Sequence, residues 1–257
     1  MSDFDDINAA TKDTAGQIWQ MLTSAAATVA HFFKHINAAG WPFIAIFAVI
    51  SILLGFIADP LLWIGLVLTA WCVYFFRDPI RVTPDQAELV IAPADGMVSA
   101  IEQVTLPHEL DDEAEEKVTR VSIFLSVFDV HVQRVPISGK IKKVVYRPGK
   151  FINASLDKAS EHNERSSVLL ETASGKTLAF VQIAGLIARR IINTLKEDQA
   201  VNAGERYGLI RFGSRVDVYL PEGVAPQVIV GQRMIGGETV IADLNDSTTS
   251  LRSGIAR

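Results

Sequence analysis

Two apolar runs dominate the first third of the chain. Trp41 to Ala58 carries no charge, Pro60 to Phe76 carries none either, and only Asp59 separates them. A helix that crosses a bilayer takes about 20 apolar residues, within a range of roughly 17–25. Both runs sit at the short end of that range. The pattern predicts a helical hairpin over 37–76 that spans a membrane or dips into it. No neighbouring segment offers the matching amphipathic faces that would bury two such helices in a water-soluble core. Trp41, Trp63, Trp71 and Tyr74 sit near the run ends or within reach of them, as interfacial aromatics do. Upstream, Ile18, Met21, Leu22, Ala25, Val29, Phe32 and Phe33 recur at helical spacing. They predict an amphipathic helix within 1–36, lying on or beside the membrane.

From Arg77 onward the pattern changes to short apolar runs broken by Gly, Pro, Asn and Asp. Val118–Ser126, Val132–Pro136, Lys140–Tyr146, Ser167–Thr172, Lys176–Ile183 and Arg215–Leu220 read as strands. Ser174-Gly175 reads as a hairpin turn. In Arg215–Leu220 the alternation is strict. Val216, Val218 and Leu220 face one way and Arg215, Asp217 and Tyr219 the other, which predicts a half-buried strand. His108 to Lys117 reads as a solvated acidic insertion. The expected fold class is α+β: a mostly β catalytic domain with short helices over 77–257, preceded by the N-terminal hydrophobic hairpin.

Composition narrows the functions. The net charge is −5, which gives no overall basic footprint for nucleic acid. The single cysteine, Cys72, excludes an internal disulfide and Cys-rich metal sites. Forty residues precede Trp41 and no basic segment opens the run, unlike a cleaved signal peptide. Lys34 lies before the hairpin, Arg77 and Arg81 after it, and its connection holds only Asp59. The positive-inside rule then puts both ends in the cytoplasm.

Four stretches carry candidate chemistry. Ala92 to Val98, APADGMV, sets Asp95-Gly96 at a tight turn, a pairing common in turns of no function. Phe128 to Pro136, FDVHVQRVP, holds His131 between apolar residues, where a structural histidine is the commoner outcome. Glu161 to Val168, EHNERSSV, is a polar entry to a strand. Phe212 to Ser214, FGS, places a Gly-Ser step inside a strand-like pattern, where a bulge is the plain reading.

Two other classes fit parts of the chain. The stretches APADGMVSAIEQV and VIVGQRMIGGETVIADL resemble the halves of a biotinyl or lipoyl carrier barrel, with Lys158 as carrier lysine. But those halves are more than a hundred residues apart. A serine hydrolase would want a Gly-x-Ser-x-Gly elbow leading into a helix. Ser214 has no second glycine after Arg215 and leads into a strand.

Taken in order, WPF…FFRDP, PADG, FDVHVQRVP, NER and FGSRVDVYLP resemble the phosphatidylserine decarboxylases, in their short membrane-anchored bacterial form. The resemblance covers the chain from Gly40. It implies that the Gly213-Ser214 bond cleaves itself, giving a β chain, 1–213, and an α chain, 214–257. Ser214 would become a pyruvoyl group that condenses with the amine of a serine headgroup as a Schiff base. Phosphatidylserine would lose carbon dioxide to give phosphatidylethanolamine, with no metal. It also implies the bilayer as partner and the inner membrane as location, with the catalytic domain on the cytoplasmic side. A second copy of the chain stays open as a partner.

The resemblance assigns Asp95 to processing and His131 to decarboxylation. Many members of that family carry a second histidine three positions after the first; here that position is Arg134, which stays charged and is no ordinary base. Either His131 oriented by Asp95 serves both steps, which is the expected arrangement, or Asp95 acts directly, or Arg134 only polarises the scissile carbonyl. Asn163 and Arg134 are also expected to bind substrate. Arg165 would hold a substrate carboxylate or phosphate, or else form a structural ion pair. A decarboxylase of another amino-acid headgroup remains an alternative.

Overall fold

The computed structural model describes residues 19–21, 23–24, 35–111, 116–149, 163–185, 190–211 and 213–246. Most of the amphipathic helix expected within 1–36, the loop around Lys158, and Phe212 lie outside them. Two compact units divide the chain. One holds Met1–Thr69 with Arg77–Pro79, and the other holds Ala70–Phe76 with Ile80–Arg257.

In the first unit a 3-10 turn, Ala38–Gly40, is capped by the Asn37 side chain, which accepts from the Ala39 N–H at 3.0 Å. It leads into α1 (Trp41–Gly55). Helix α2 (Asp59–Phe75) starts on an acid followed by proline, both favoured in a first turn. Ala38–Gly55 has 18 residues with mean hydropathy 2.1, long and apolar enough to cross a membrane, whereas α2 is one residue shorter. Only 17% of that 18-residue stretch is buried, so α1 is not the core helix of a soluble domain. Phe56 and Ile57 between the helices are 84% and 75% exposed. An apolar surface of this extent is consistent with membrane association.

The two helices touch through small residues. A Cβ on Gly65 would lie 2.4 Å from Ser51 Oγ, and the Ser51 and Thr69 hydroxyls are 3.2 Å apart. Small residues permit this approach where burial from water supplies no drive. The ends of the hairpin close on each other: Ile36 bridges Arg77, and the Asp78 N–H donates to the His35 carbonyl at 2.6 Å.

The second unit is built from strands β1 (Leu89–Ile91), β2 (Gly96–Thr105), β3 (Lys117–Leu125), β4 (Val132–Arg134), β5 (Gly139–Arg147), β6 (Arg165–Glu171), β7 (Thr177–Ala184), β8 (Ile191–Asn193), β9 (Ala200–Val201), β10 (Arg206–Ile210), β11 (Ser214–Tyr219), β12 (Arg233–Met234) and β13 (Val240–Asp243). An eight-stranded sheet runs β12-β2-β3-β11-β7-β6-β5-β9. A three-stranded sheet runs β4-β10-β8, and β1 pairs with β13. The pairings are antiparallel. The six expected strands are present within one or two residues of their expected ends. The β6–β7 hairpin turns at Ser174-Gly175, where Gly175 has φ +81° and its N–H donates to the Thr172 carbonyl at 3.0 Å.

Three expectations change. β11 is not half-buried: all six of its residues are buried, at the centre of the eight-stranded sheet. Its polar face is tolerated because Arg215 and Asp217 satisfy each other, with guanidinium donors 2.6 and 2.9 Å from the carboxylate. The Gly-Ser step is not a bulge within a strand. β10 ends at Ile210 in one sheet and β11 begins at Ser214 in another, so Gly213 lies on the crossover between them. The acidic insertion is not wholly solvated, since Glu109 and Leu110 are buried.

Candidate active site

Alternation puts Ser214 and Val216 on one face of β11. Ala94, Leu125, Ala184, Ile191 and Ile210 cluster there with Val216. Ser214 pairs with Leu125 of β3 on one side and Ala184 of β7 on the other, and it is fully buried. Its Oγ finds no hydrogen-bond partner among the described residues. A buried hydroxyl left in that condition is costly unless the position has a use.

Gly213 has φ +69°, the left-handed region, yet a Cβ added there would meet nothing within 4 Å. Glycine is required by the backbone conformation, not by crowding. Its N–H points at Nε2 of His131, 3.4 Å away. His131 precedes β4, is fully buried, and places Nδ1 2.9 Å from the Asp129 carbonyl oxygen. A carbonyl only accepts, so Nδ1 carries the proton and Nε2 presents its lone pair to Gly213. The turn that offers this carbonyl is itself locked. Asp129 accepts from the Ser126 N–H at 2.8 Å and takes an ion pair from Arg233.

Asp95 accepts from Arg81 at 2.8 and 3.1 Å and from the Gly236 N–H at 2.8 Å. A backbone carbonyl thus holds the Nδ1 side of the imidazole. Asp95 ties the PADG turn to Arg81 and to the Gly236-Gly237 turn. A Cβ on Gly237 would strike Arg134 at 2.6 Å, so this turn also packs on Arg134. The Arg134 guanidinium donates to the Gly204 carbonyl at 2.9 Å. Asn163 donates to the Ala184 carbonyl at 2.7 Å, one strand away from Ser214.

Arg165 lies on the other face of the sheet. It is in register with Ile183, which is in register with Arg215, whereas Ser214 aligns with Ala184. There Arg165 makes a two-pronged ion pair with Glu109, at 2.6 and 2.9 Å, and Ser167 donates to the same carboxylate at 2.9 Å. Burial pushes the Glu109 carboxyl up, but the hydrogen bonds from Arg165, the backbone and Ser167 outweigh it and hold the group below its ordinary range. A cavity of about 610 Å³ opens on this face, lined by Lys117, Arg120, Arg147, Arg165 and Tyr219 among others. The structure therefore gathers Gly213, Ser214 and His131 directly, sets Asn163 beside them, and puts Arg165 across the sheet.

Asp129, Arg81, Arg233 and Glu109 are missed by sequence reasoning. Asp129 had a weak signal, two residues before His131. The others are reached only through contacts distant in sequence.

The profile of the phosphatidylserine decarboxylase family matches residues 68–242. The chain is 56% identical over 226 residues to the phosphatidylserine decarboxylase proenzyme of Cereibacter sphaeroides, covering 88% of this chain and 97% of that protein. It is 58% identical over 222 residues to that of Paramagnetospirillum magneticum, covering 86% and 92%. Matches of this extent make the chain an enzyme of the carboxy-lyase class. It belongs to the phosphatidylserine decarboxylase family.

Proposed function

We propose that the chain is a precursor that cuts itself between Gly213 and Ser214 and then converts phosphatidylserine to phosphatidylethanolamine and carbon dioxide. The observation that carries this reading is the juxtaposition of a buried, unpartnered Ser214 hydroxyl, a left-handed Gly213, and the His131 Nε2 lone pair at 3.4 Å from the Gly213 nitrogen. The relatives' designation as proenzymes fits a precursor.

Ser214 Oγ adds to the Gly213 carbonyl, the C–N bond breaks, and an ester joins the two residues. His131 Nε2 accepts the hydroxyl proton, which a weak nucleophile must lose. Loss of the Ser214 α-proton expels the Gly213 carboxylate and leaves dehydroalanine. One water then releases ammonia and leaves a pyruvoyl group at residue 214. The surroundings suit that group: residue 214 is buried beside an apolar cluster, Ala184 and Leu125 flank it in the sheet, and Ser214 Oγ makes no hydrogen bond among the described residues that the change would break. The ketone, once formed, supplies an electron sink for the carboxyl-bearing carbon of an amine substrate. His131 is the group placed to return a proton to that carbon. Asn163, bonded to the Ala184 carbonyl beside Ser214, borders the site, and Asp95 and Arg134 pack on the Gly236-Gly237 turn.

In this reading the helical hairpin keeps the chemistry at a bilayer, and the charge placement of Lys34, Arg77 and Arg81 supports a catalytic body on the cytoplasmic side of the inner membrane. Intact mass measurement of the purified protein tests the reading. Two chains, 1–213 and a smaller one beginning in pyruvoyl, are expected, with phosphatidylserine decarboxylation in mixed micelles. A single unmodified chain from an active preparation overturns it.

A further inference from the structure

The imidazole of His131 packs against a ring that no part of the mechanism has used. Phe75, the last residue of α2, lies with its centroid 4.1 Å from that of His131 and its plane tilted by 34°. Phe75 is fully buried. It is held edge-on by Phe76 at 5.0 Å and backed by Trp71, one helical turn earlier, at 5.7 Å. Phe75 and His131 belong to the same compact unit, which takes in the last turn of α2.

This contact bears on the proton step. When Ser214 Oγ bonds to the Gly213 carbonyl, its proton moves to Nε2 and the ring becomes a cation. The proton then passes to the departing Ser214 nitrogen as the C–N bond breaks. The Nδ1 side of the cation faces a backbone carbonyl, and one ring face meets the π cloud of Phe75. An aromatic face within about 6 Å of a cation attracts it, most strongly where water is excluded. The same stacking restrains the tilt of the imidazole plane, beside the Asp129 carbonyl that holds Nδ1, and so keeps Nε2 on Gly213.

We propose that Phe75 is a positioning residue for self-cleavage, fixing the plane of His131 and favouring its protonated form. The inference rests on the function proposed above. The full-length chain is synthesised without cells in the presence of phosphatidylcholine liposomes, and cleavage at 213/214 is followed by intact mass. Phe75→Leu fills the site without a π face. Pentafluorophenylalanine at position 75 keeps the ring's shape and reverses its charge distribution, so it reports on electrostatics even where Phe75→Leu does not fold. Both are expected to slow cleavage by about tenfold, while the melting temperature of the fluorinated chain, read in a Ser214→Ala background, stays within a few degrees of its parent. A wild-type chain that cleaves beside a fluorinated chain that cleaves equally fast overturns this inference alone. A wild-type chain that stays whole overturns the self-cleavage reading and this inference with it.

Discussion

Gly213, Ser214 and His131 make separable demands on the site. Ser214→Ala removes the nucleophile from a position where Oγ makes no hydrogen bond among the described residues. The variant is therefore expected to fold and to remain one chain of 257 residues on intact mass measurement. Gly213→Ala meets open space but must hold φ +69°. It is expected to cost about 1–2 kcal/mol, visible as a lower melting temperature, and to slow cleavage rather than abolish it. His131→Ala removes the only lone pair aimed at Gly213 among the described contacts. Cleavage and turnover should both fall, by roughly 10²–10⁴-fold, in a time course of chain mass and carbon dioxide release. At this scale the sequence was partly readable. FGS and His131 could be singled out, but the orienting Asp129 carbonyl could not, because a backbone oxygen leaves no residue signature. Of the two roles open to Arg165, the ion pair could not be chosen from sequence because its partner lies 56 residues away in a stretch that reads as solvated.

That partner defines a prediction for the elements. Glu109 joins the insertion after β2 to β6 through Arg165 and Ser167. Glu109→Ala strands a mostly buried guanidinium and is expected to cost about 3 kcal/mol. The carboxyl is held below its ordinary value of 4.5 in the folded chain. Its stabilisation is therefore complete above that value and is lost as pH falls through the lower folded value. The melting-temperature gap between wild type and Glu109→Gln should be widest near neutrality and close in acid; a gap that widens in acid would contradict the sign. Strand reading succeeded where alternation was strict, as in β11, and where a turn was marked, as at Ser174-Gly175. β2 was passed over because a register shift between Val98 and Ala100 breaks its period and Glu102 interrupts it. The two-residue strands β9 and β12 are too short to carry any period. They exist because longer neighbours offer them an edge.

At the scale of the molecule, the apolar outer surface of α1 and α2 predicts that the full chain stays with the bilayer through an alkaline wash. A chain beginning at Ala70 keeps the second unit whole, with Phe75 beneath His131. It is expected to leave the membrane fraction and still cleave. Fractionation followed by mass measurement decides both points, and loss of cleavage in the folded, detached chain would make the hairpin part of the catalytic fold. The hairpin was legible from charge alone. The inclusion of the last turn of α2 in the catalytic body was not, since nothing in an apolar run says where lipid contact ends and protein contact begins.

The position of β11 has a consequence for timing. Residues after the proposed cut supply the central strand of the main sheet, one of its edges through β12, and the partner of β1 through β13. The smaller product is thus stitched into the larger at three places and is not a subunit that can leave. Gly213, the residue before the proposed cut, meets His131 only after strands some eighty residues apart in sequence have found their sheets. Under the proposed self-cleavage, the cut therefore comes last in the maturation of this chain, and the appearance of two bands on a gel would record that folding is already complete.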